Sequence, residues 1–246
     1  MTTIPADTEP PLAERRVLIT GAAGGLGPIV VSAAKAAGAR LILVDRSQDR
    51  LDALASEFGA SVASTHVVDL LEDDAVAELA SDLTSDAPID AVWHLVGGWR
   101  GGTPLPEQSL EDWKLMHDLL VRTTIHVARA FAAPLVASTR GGRFAIISAK
   151  EAQAPTSKNA AYATAKAASE ALVLALANEF KGSRATANIV VVPAILTPAM
   201  REKDPDRNWG GFVPAEQIAD ALVYLTSTAG SKMNGQRIRL YSGAPS

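Results

Sequence analysis

Tyr162 and Lys166 stand four residues apart in "AAYATAKAA" (160–168), a spacing that puts both side chains on one face of a helix. A lysine ammonium beside a phenol favours the phenolate and draws its pKa down from about 10 toward working pH. The pair can then serve as a general acid in a reduction. Helices also carry such pairs as plain surface contacts, so the reading depends on the segments around it.

A second chemical segment is "VLITGAAGGLGPIVV" (17–31), with Gly21, Gly25 and Gly27 between a strand-like run and an Ala-rich helical pattern. Glycines there tolerate positive φ and let the backbone approach a pyrophosphate, while the following helix offers free N–H groups and a positive dipole end. Asp45 closes the next apolar run in "LILVDRS", where a carboxylate accepts ribose hydroxyls and repels a 2′-phosphate. That favours NAD(H), with NADP(H) open because the adjacent Arg46 can hold a phosphate. A helix cap is the other use of Asp45. Asp69 in "VVDLLEDDAV" is placed to accept from an adenine amino group or to cap a helix near Glu72.

These groups need a scaffold, and the pattern of the chain supplies one. Seven β-rich runs (16–20, 39–44, 60–68, 89–96, 142–148, 185–192 and 236–242) alternate with helical patterns at about 25–37, 48–57, 72–84, 109–138, 157–181 and 214–227. The runs are nearly continuous in apolar residues, as parallel strands covered on both faces are. The expected fold is α/β, a single Rossmann-like doubly wound parallel sheet of about seven strands. Residues 1–13 read as a mobile leader and 14–246 as one domain. Two long Gly/Pro-rich connections, 97–108 and 193–214, follow strands and so belong at the ligand-binding carboxyl edge; the second is the expected substrate loop.

Composition removes other classes. The 246 residues are 48% hydrophobic and 20% charged with net charge −4 and no long basic run, which argues against nucleic-acid binding. The absence of cysteine excludes disulfides, thiolate metal sites and thiol catalysis. The N-terminus has no apolar signal-peptide core, and no window reaches the roughly 20 apolar residues of a membrane span; the expected location is cytoplasmic. His66, His94, His117 and His126 show no metal-ligand spacing. His94 alone lies near the expected site, where a packed, hydrogen-bonded role is favoured over a proton shuttle.

From Val17 to Gly243 the chain resembles a short-chain dehydrogenase/reductase, on "TGAAGGLG", "YATAK", "VVPAILTPAM" and "GQRIRLYSG". The resemblance implies that Tyr162 and Lys166 are catalytic. It implies cofactor contacts from Gly21, Gly25, Leu26, Gly27, Asp45, Arg46, Asp69, Leu70, Gly97, Lys166 and Thr197. It also implies a homodimer or homotetramer built through the two long helices. Three positions depart from the family pattern: "HLVGG" (94–98) replaces the usual Asn-Asn-Ala-Gly, Leu120 replaces an asparagine, and Ala149 replaces the catalytic serine, with Ser148 one step early.

The departures themselves, with "GGWRGG" (97–102), "SAKEA" (148–152) and the 193–214 segment, resemble the dihydropteridine reductase subgroup. That likeness implies NADH-dependent reduction of a quinonoid dihydropterin, a planar substrate met by Trp99, Ala149, Tyr162 and Trp209. Hydride entering a conjugated ring spreads charge over nitrogens, so the missing hydroxyl, normally worth on the order of 100–1000-fold at a carbonyl, is less needed. Trp99 and Trp209 suit stacking on a flat ring, or plugging their own loops. Trp93 and Trp113 read as packing. Two other functions stay open: a reductase or dehydrogenase of a carbonyl or alcohol, and a nucleotide-binding sensor without turnover.

Overall fold

The computed structural model describes residues 9–241. Seven strands, β1 (Arg16–Thr20), β2 (Arg40–Asp45), β3 (Val62–Val67), β4 (Ala91–His94), β5 (Arg143–Ala149), β6 (Thr186–Val192) and β9 (Arg237–Arg239), form one parallel sheet in the order β3-β2-β1-β4-β5-β6-β9. Because the order runs outward in both directions from β1, the carboxyl ends of β1 and β4 part to leave a crevice. β1 bonds to β2 on one side and β4 on the other, with Thr20 beside His94 in the last β4 pair. This is the expected Rossmann-like single domain.

Alternation along the strands assigns the two faces. Val17, Ile19, Leu41, Leu43, Ala91, Trp93, Ala145 and Ile147 join one buried core, with α1 (Gly27–Ala36), α2 (Gln48–Phe58) and α8 (Ala215–Thr226). Leu18, Ile42, Val44, Val92, Phe144 and Ile146 join the other, with α3 (Asp73–Asp86), α5 (Thr123–Ala137) and α6 (Ala160–Glu179). Neighbouring strand residues point oppositely, so each apolar run must serve both cores. Trp93 is fully buried, its Nε1 donating to Thr226 Oγ1 at 2.9 Å.

Several boundaries differ from expectation. Among residues 9–13 of the expected leader, Leu12 is completely buried and its N–H donates to Ala37 O at 2.9 Å; this part packs on the end of α1. Residues 1–8 lie outside the described residues. The expected helix 109–138 is three pieces: α4 (Leu110–Met116), a π-helical turn (His117–Arg122) and α5. The 193–214 segment has structure of its own, with β7 (Ile195–Leu196) pairing β8 (Val213–Pro214) around α7 (Pro198–Lys203). The last strand is shorter than 236–242, and Ser242 falls outside the described residues.

Helical stretches Leu110–Ala137 and Ala160–Glu179 are long and apolar enough to cross a membrane, which corrects the reading that no window reaches that length. About half of each apolar window, 44% and 50%, is buried inside the fold. Their apolar character is what a helix needs when it packs on a sheet and on another helix together.

Candidate active site

The glycine turn sits where β1 ends. Gly21 has φ of +72°, and a Cβ on Gly27 would lie 1.9 Å from Ala22 O, so only glycine fits there. α1 then begins with Pro28 in its first turn, no side-chain cap and no acidic residue in that turn, leaving the positive end of its dipole uncompensated. Asp45 is no helix cap: its Oδ2 accepts from Ala23 N at 3.0 Å and its Oδ1 from Arg46 N at 2.8 Å. The carboxylate thereby ties the end of β2 to the turn.

A cleft of about 340 Å³ opens at the crevice, lined by Gly21, Gly25 and Leu26 of the turn, Asp45 and Arg46 after β2, Asp69 and Leu70 after β3, and Gly97 after β4. Eight expected cofactor residues thus converge. Gly27 and Thr197 are not in this wall: Gly27 is buried, and Thr197 caps α7, its hydroxyl accepting from Met200 N at 3.3 Å. Asp69 closes a turn through Leu71 N at 3.0 Å, and no side chain caps α3, whose N-cap is Glu72. Arg50, also in the wall, escaped the sequence reading; its one signal was its place in the first turn of the helix after Arg46. A glycine-rich turn at an uncapped helix N-terminus and a nearby carboxylate fit a dinucleotide.

Lys166 is buried, and its Nζ donates to Ile147 O at 2.7 Å. It lies beside the cleft, 3.9 Å from where a Cβ on Gly97 would stand, and 5.9 Å from the Tyr162 ring centre. Burial lowers the Lys166 pKa to about 8, against an upward pull from Glu170. The Tyr162 phenol moves opposite to expectation: burial, then the Glu151 charge, raise its pKa. With the ammonium held on a backbone carbonyl, Lys166 does not offset these effects. Glu151 Oε2 is itself buried with no hydrogen-bond partner.

Ala149 ends β5 in extended conformation and is 3% exposed. Ser148 does not replace the missing serine. Its hydroxyl donates to Glu170 Oε1 at 2.6 Å, and Arg237 Nε meets Glu170 Oε2 at 2.5 Å. Leu120 lies on the π-helical turn, packed with Met116, Ala161 and Ala165, while Tyr162 borders that cluster. The Leu120 carbonyl accepts from Thr124 Oγ1 at 2.6 Å and Ser169 Oγ at 2.7 Å. Hydroxyls on α5 and α6 thus serve a carbonyl that the widened turn exposes.

His94 is buried between Thr20 Oγ1 (2.7 Å to Nδ1) and Thr123 Oγ1 (3.2 Å to Nε2). Thr123 spends its proton on Leu119 O at 2.7 Å, so His94 Nε2–H donates to Thr123, and Thr20 donates to Nδ1. Burial, with the Lys166 charge second, lowers the His94 pKa to about 3. It is a neutral structural link between β1, β4 and α5.

The tryptophans divide. Trp99 is 56% exposed on a loop docked to the start of α6: Gly102 N donates to Lys158 O at 2.7 Å, Gln108 Nε2 to Ser157 O at 3.2 Å, and Ala161 N to Gln108 Oε1 at 3.3 Å. Trp209 instead closes its own loop. Arg207 stacks over it at 4.4 Å, Phe212 meets it edge-on at 5.1 Å, and its Nε1 donates to Asp204 O at 3.2 Å. Trp113 packs among the partly buried residues around Leu120. Among the described residues no group of three or more His, Asp or Glu is placed to hold a metal.

A family model described as enoyl-(acyl carrier protein) reductase matches residues 21–244. L-xylulose reductase from Bos taurus is 27% identical, covering 94% of this chain and 97% of its own. The chain belongs to the short-chain dehydrogenase/reductase family. Another relative of this short-chain dehydrogenase/reductase is galactitol 2-dehydrogenase (L-tagatose-forming) from Cereibacter sphaeroides, 29% identical and covering 92% of both chains. The solved structure of a short-chain type dehydrogenase/reductase from Mycobacterium ulcerans superposes with TM-score 0.83 at 25% identity, over 93% of this chain and 89% of that one. An NAD+-bound xylitol dehydrogenase shares the fold with TM-score 0.83 at 17% identity, over 94% and 99%.

Proposed function

We propose that this short-chain dehydrogenase/reductase is a nicotinamide-dependent oxidoreductase of a small polyhydroxylated ketone or its alcohol, with Tyr162 handling the proton. The observation carrying this reading is Lys166, buried between the Tyr162 ring and the Gly97 wall of the dinucleotide-fitting cleft. A bound nicotinamide would supply or accept the hydride. Tyr162, held protonated by burial and by Glu151, suits proton donation in the reducing direction. Lys166, with its pKa near 8, keeps its charge at neutral pH and is the donor for ribose hydroxyls.

The substrate class draws on the relatives, whose names include L-xylulose reductase, galactitol 2-dehydrogenase and gluconate 5-dehydrogenase. The partnerless Glu151 Oε2 supports it as an acceptor for a substrate hydroxyl. Asp45 at the cleft favours NAD(H), while Arg46 and Arg50 in the same wall are the groups that would hold the phosphate of NADP(H). Quinonoid dihydropterin is the second reading, favoured by Ala149 in the serine position and by the exposed Trp99. We further propose a homodimer or homotetramer through α4, α5 and α6, since Leu110 is 80% and Val136 46% exposed; a monomer in sedimentation would refute that assembly.

The test is oxidation of NADH and NADPH with L-xylulose, L-tagatose, the 5-keto form of gluconate and quinonoid dihydropterin, for wild type and Tyr162→Phe. Ketose turnover that drops by about 100- to 10,000-fold in the variant supports the proposal. Turnover of the pterin alone selects the second reading. NADH binding without turnover of any of the four favours a nucleotide sensor.

A further inference from the structure

At the amino ends of the strands, opposite the dinucleotide cleft, a second cavity of about 470 Å³ lies where the chain enters β1, β5, β6 and β9. Six of its lining residues are Arg15, Arg140, Arg143, Lys181, Arg184 and Lys232, and none of the lining residues is acidic. Arg15 and Arg143 are 6% and 4% exposed. Among the described residues, none of the six cations forms an ion pair with a carboxylate.

The nearby acid is Asp90, whose charge pulls on Arg15 without pairing with it; its oxygens are hydrogen-bonded by Arg16 N at 3.0 Å and Ser138 Oγ at 2.6 Å. Backbone carbonyls hold the guanidiniums in place: Arg15 donates to Arg140 O at 3.1 Å, Arg143 to Arg184 O at 2.9 Å and Arg184 to Thr139 O at 2.6 Å. These bonds position the groups and cancel no charge. Burial first, then Arg15 and Arg184, push the Arg143 pKa down to about 10. The arginines therefore repel one another at close quarters.

Two buried polar atoms of residues in the wall of this cavity have no partner, Arg143 Nε and Thr186 Oγ1. They belong to residues paired directly across β5 and β6. Buried donors are almost always satisfied, and a pair left open side by side in a cationic pocket calls for an acceptor from outside the chain. Guanidinium forks, a hydroxyl and flanking ammonium groups match the oxygens of a phosphate group. We propose that this cavity is a second ligand site, binding a phosphate or diphosphate group independently of the dinucleotide cleft.

The probe is inorganic diphosphate, with inorganic phosphate in parallel, titrated calorimetrically into the full chain at low ionic strength. Wild type should bind one equivalent saturably, and its melting temperature should climb with ligand. Lys181→Gln/Lys232→Gln alters exposed side chains only and should weaken binding at least tenfold; Arg143→Gln should weaken it further. The same titration with NADH present should be unchanged. Absence of saturable binding overturns the site, as does equal affinity in the double lysine variant. Competition by NADH, or the same melting shift from chloride at matched ionic strength, would also overturn it.

Discussion

The Ser148 hydroxyl donates to Glu170 Oε1 at 2.6 Å, on the face of β5 that carries Phe144 and Ile146 against α6. Glu170 is 1% exposed and also meets Arg237, so the serine completes a buried network and is turned from the Ala149 side. Ser148→Ala should leave turnover within a few-fold while costing ~1–3 kcal/mol of stability, because one oxygen of a buried carboxylate loses its donor. Denaturant melts and initial rates check the two halves separately. Ala149→Ser, adding a donor at the substrate side, should raise turnover of a ketose by about 10-fold or more and leave a pterin little changed. Equal gains on both substrates would refute the charge-localisation argument.

The lowered Lys166 pKa sets a pH window. The ammonium is present below about 8 and lost above it, so NADH affinity should fall as pH rises through that value. One charge-assisted bond is worth roughly 10- to 100-fold, and Lys166→Met should flatten the profile. Stability moves the other way: the fold releases this proton near 8 and the unfolded chain near 10.5, so stability rises between them. Fluorescence titration and thermal melts at matched pH separate the opposing trends.

Gly27→Ala introduces a methyl carbon 1.9 Å from Ala22 O. The turn must shift, carrying the first α1 amides away from the cleft. NADH binding should weaken at least 100-fold, read by fluorescence titration. An unchanged affinity would show that steric closeness is not what the turn requires.

His94 enters the fold neutral. Its pKa falls from 6.5 to about 3, so below 6.5 the unfolded chain takes up a proton that the native state refuses. Stability should decline with acid by up to ~1.4 kcal/mol per pH unit from this group across that window. His94→Gln should remove this share of the slope, read from urea melts at about pH 5 and pH 6.5. An unchanged slope would place the acid sensitivity elsewhere.

What the sequence revealed follows how local each signal is. The strands were legible because each must be apolar on both sides, and the nucleotide turn because its chemistry lies within seven consecutive residues, Gly21 to Gly27. The identity of the face was not, since Ser148 and Ala149 differ only in which core their neighbours join. The π-helical turn at His117–Arg122 was hidden for a similar reason. It is held by hydroxyls of Thr124 and Ser169 on the Leu120 carbonyl, one of them 49 positions away. The direction of the Tyr162 shift is not legible in a four-residue spacing, because the dominant influences are burial and Glu151.

The loop bearing Trp99 is stitched to Ser157, Lys158 and Ala161 by three hydrogen bonds through Gly102 and Gln108. The Trp99 loop and the first turn of the helix that carries Tyr162 therefore form one graft. Transplanting a 97–108 segment that lacks the glutamine at position 108 would take the side-chain partner from the amide of Ala161 and the carbonyl of Ser157. A recombinant that exchanges this loop has to move both segments together, although some fifty positions of chain lie between them.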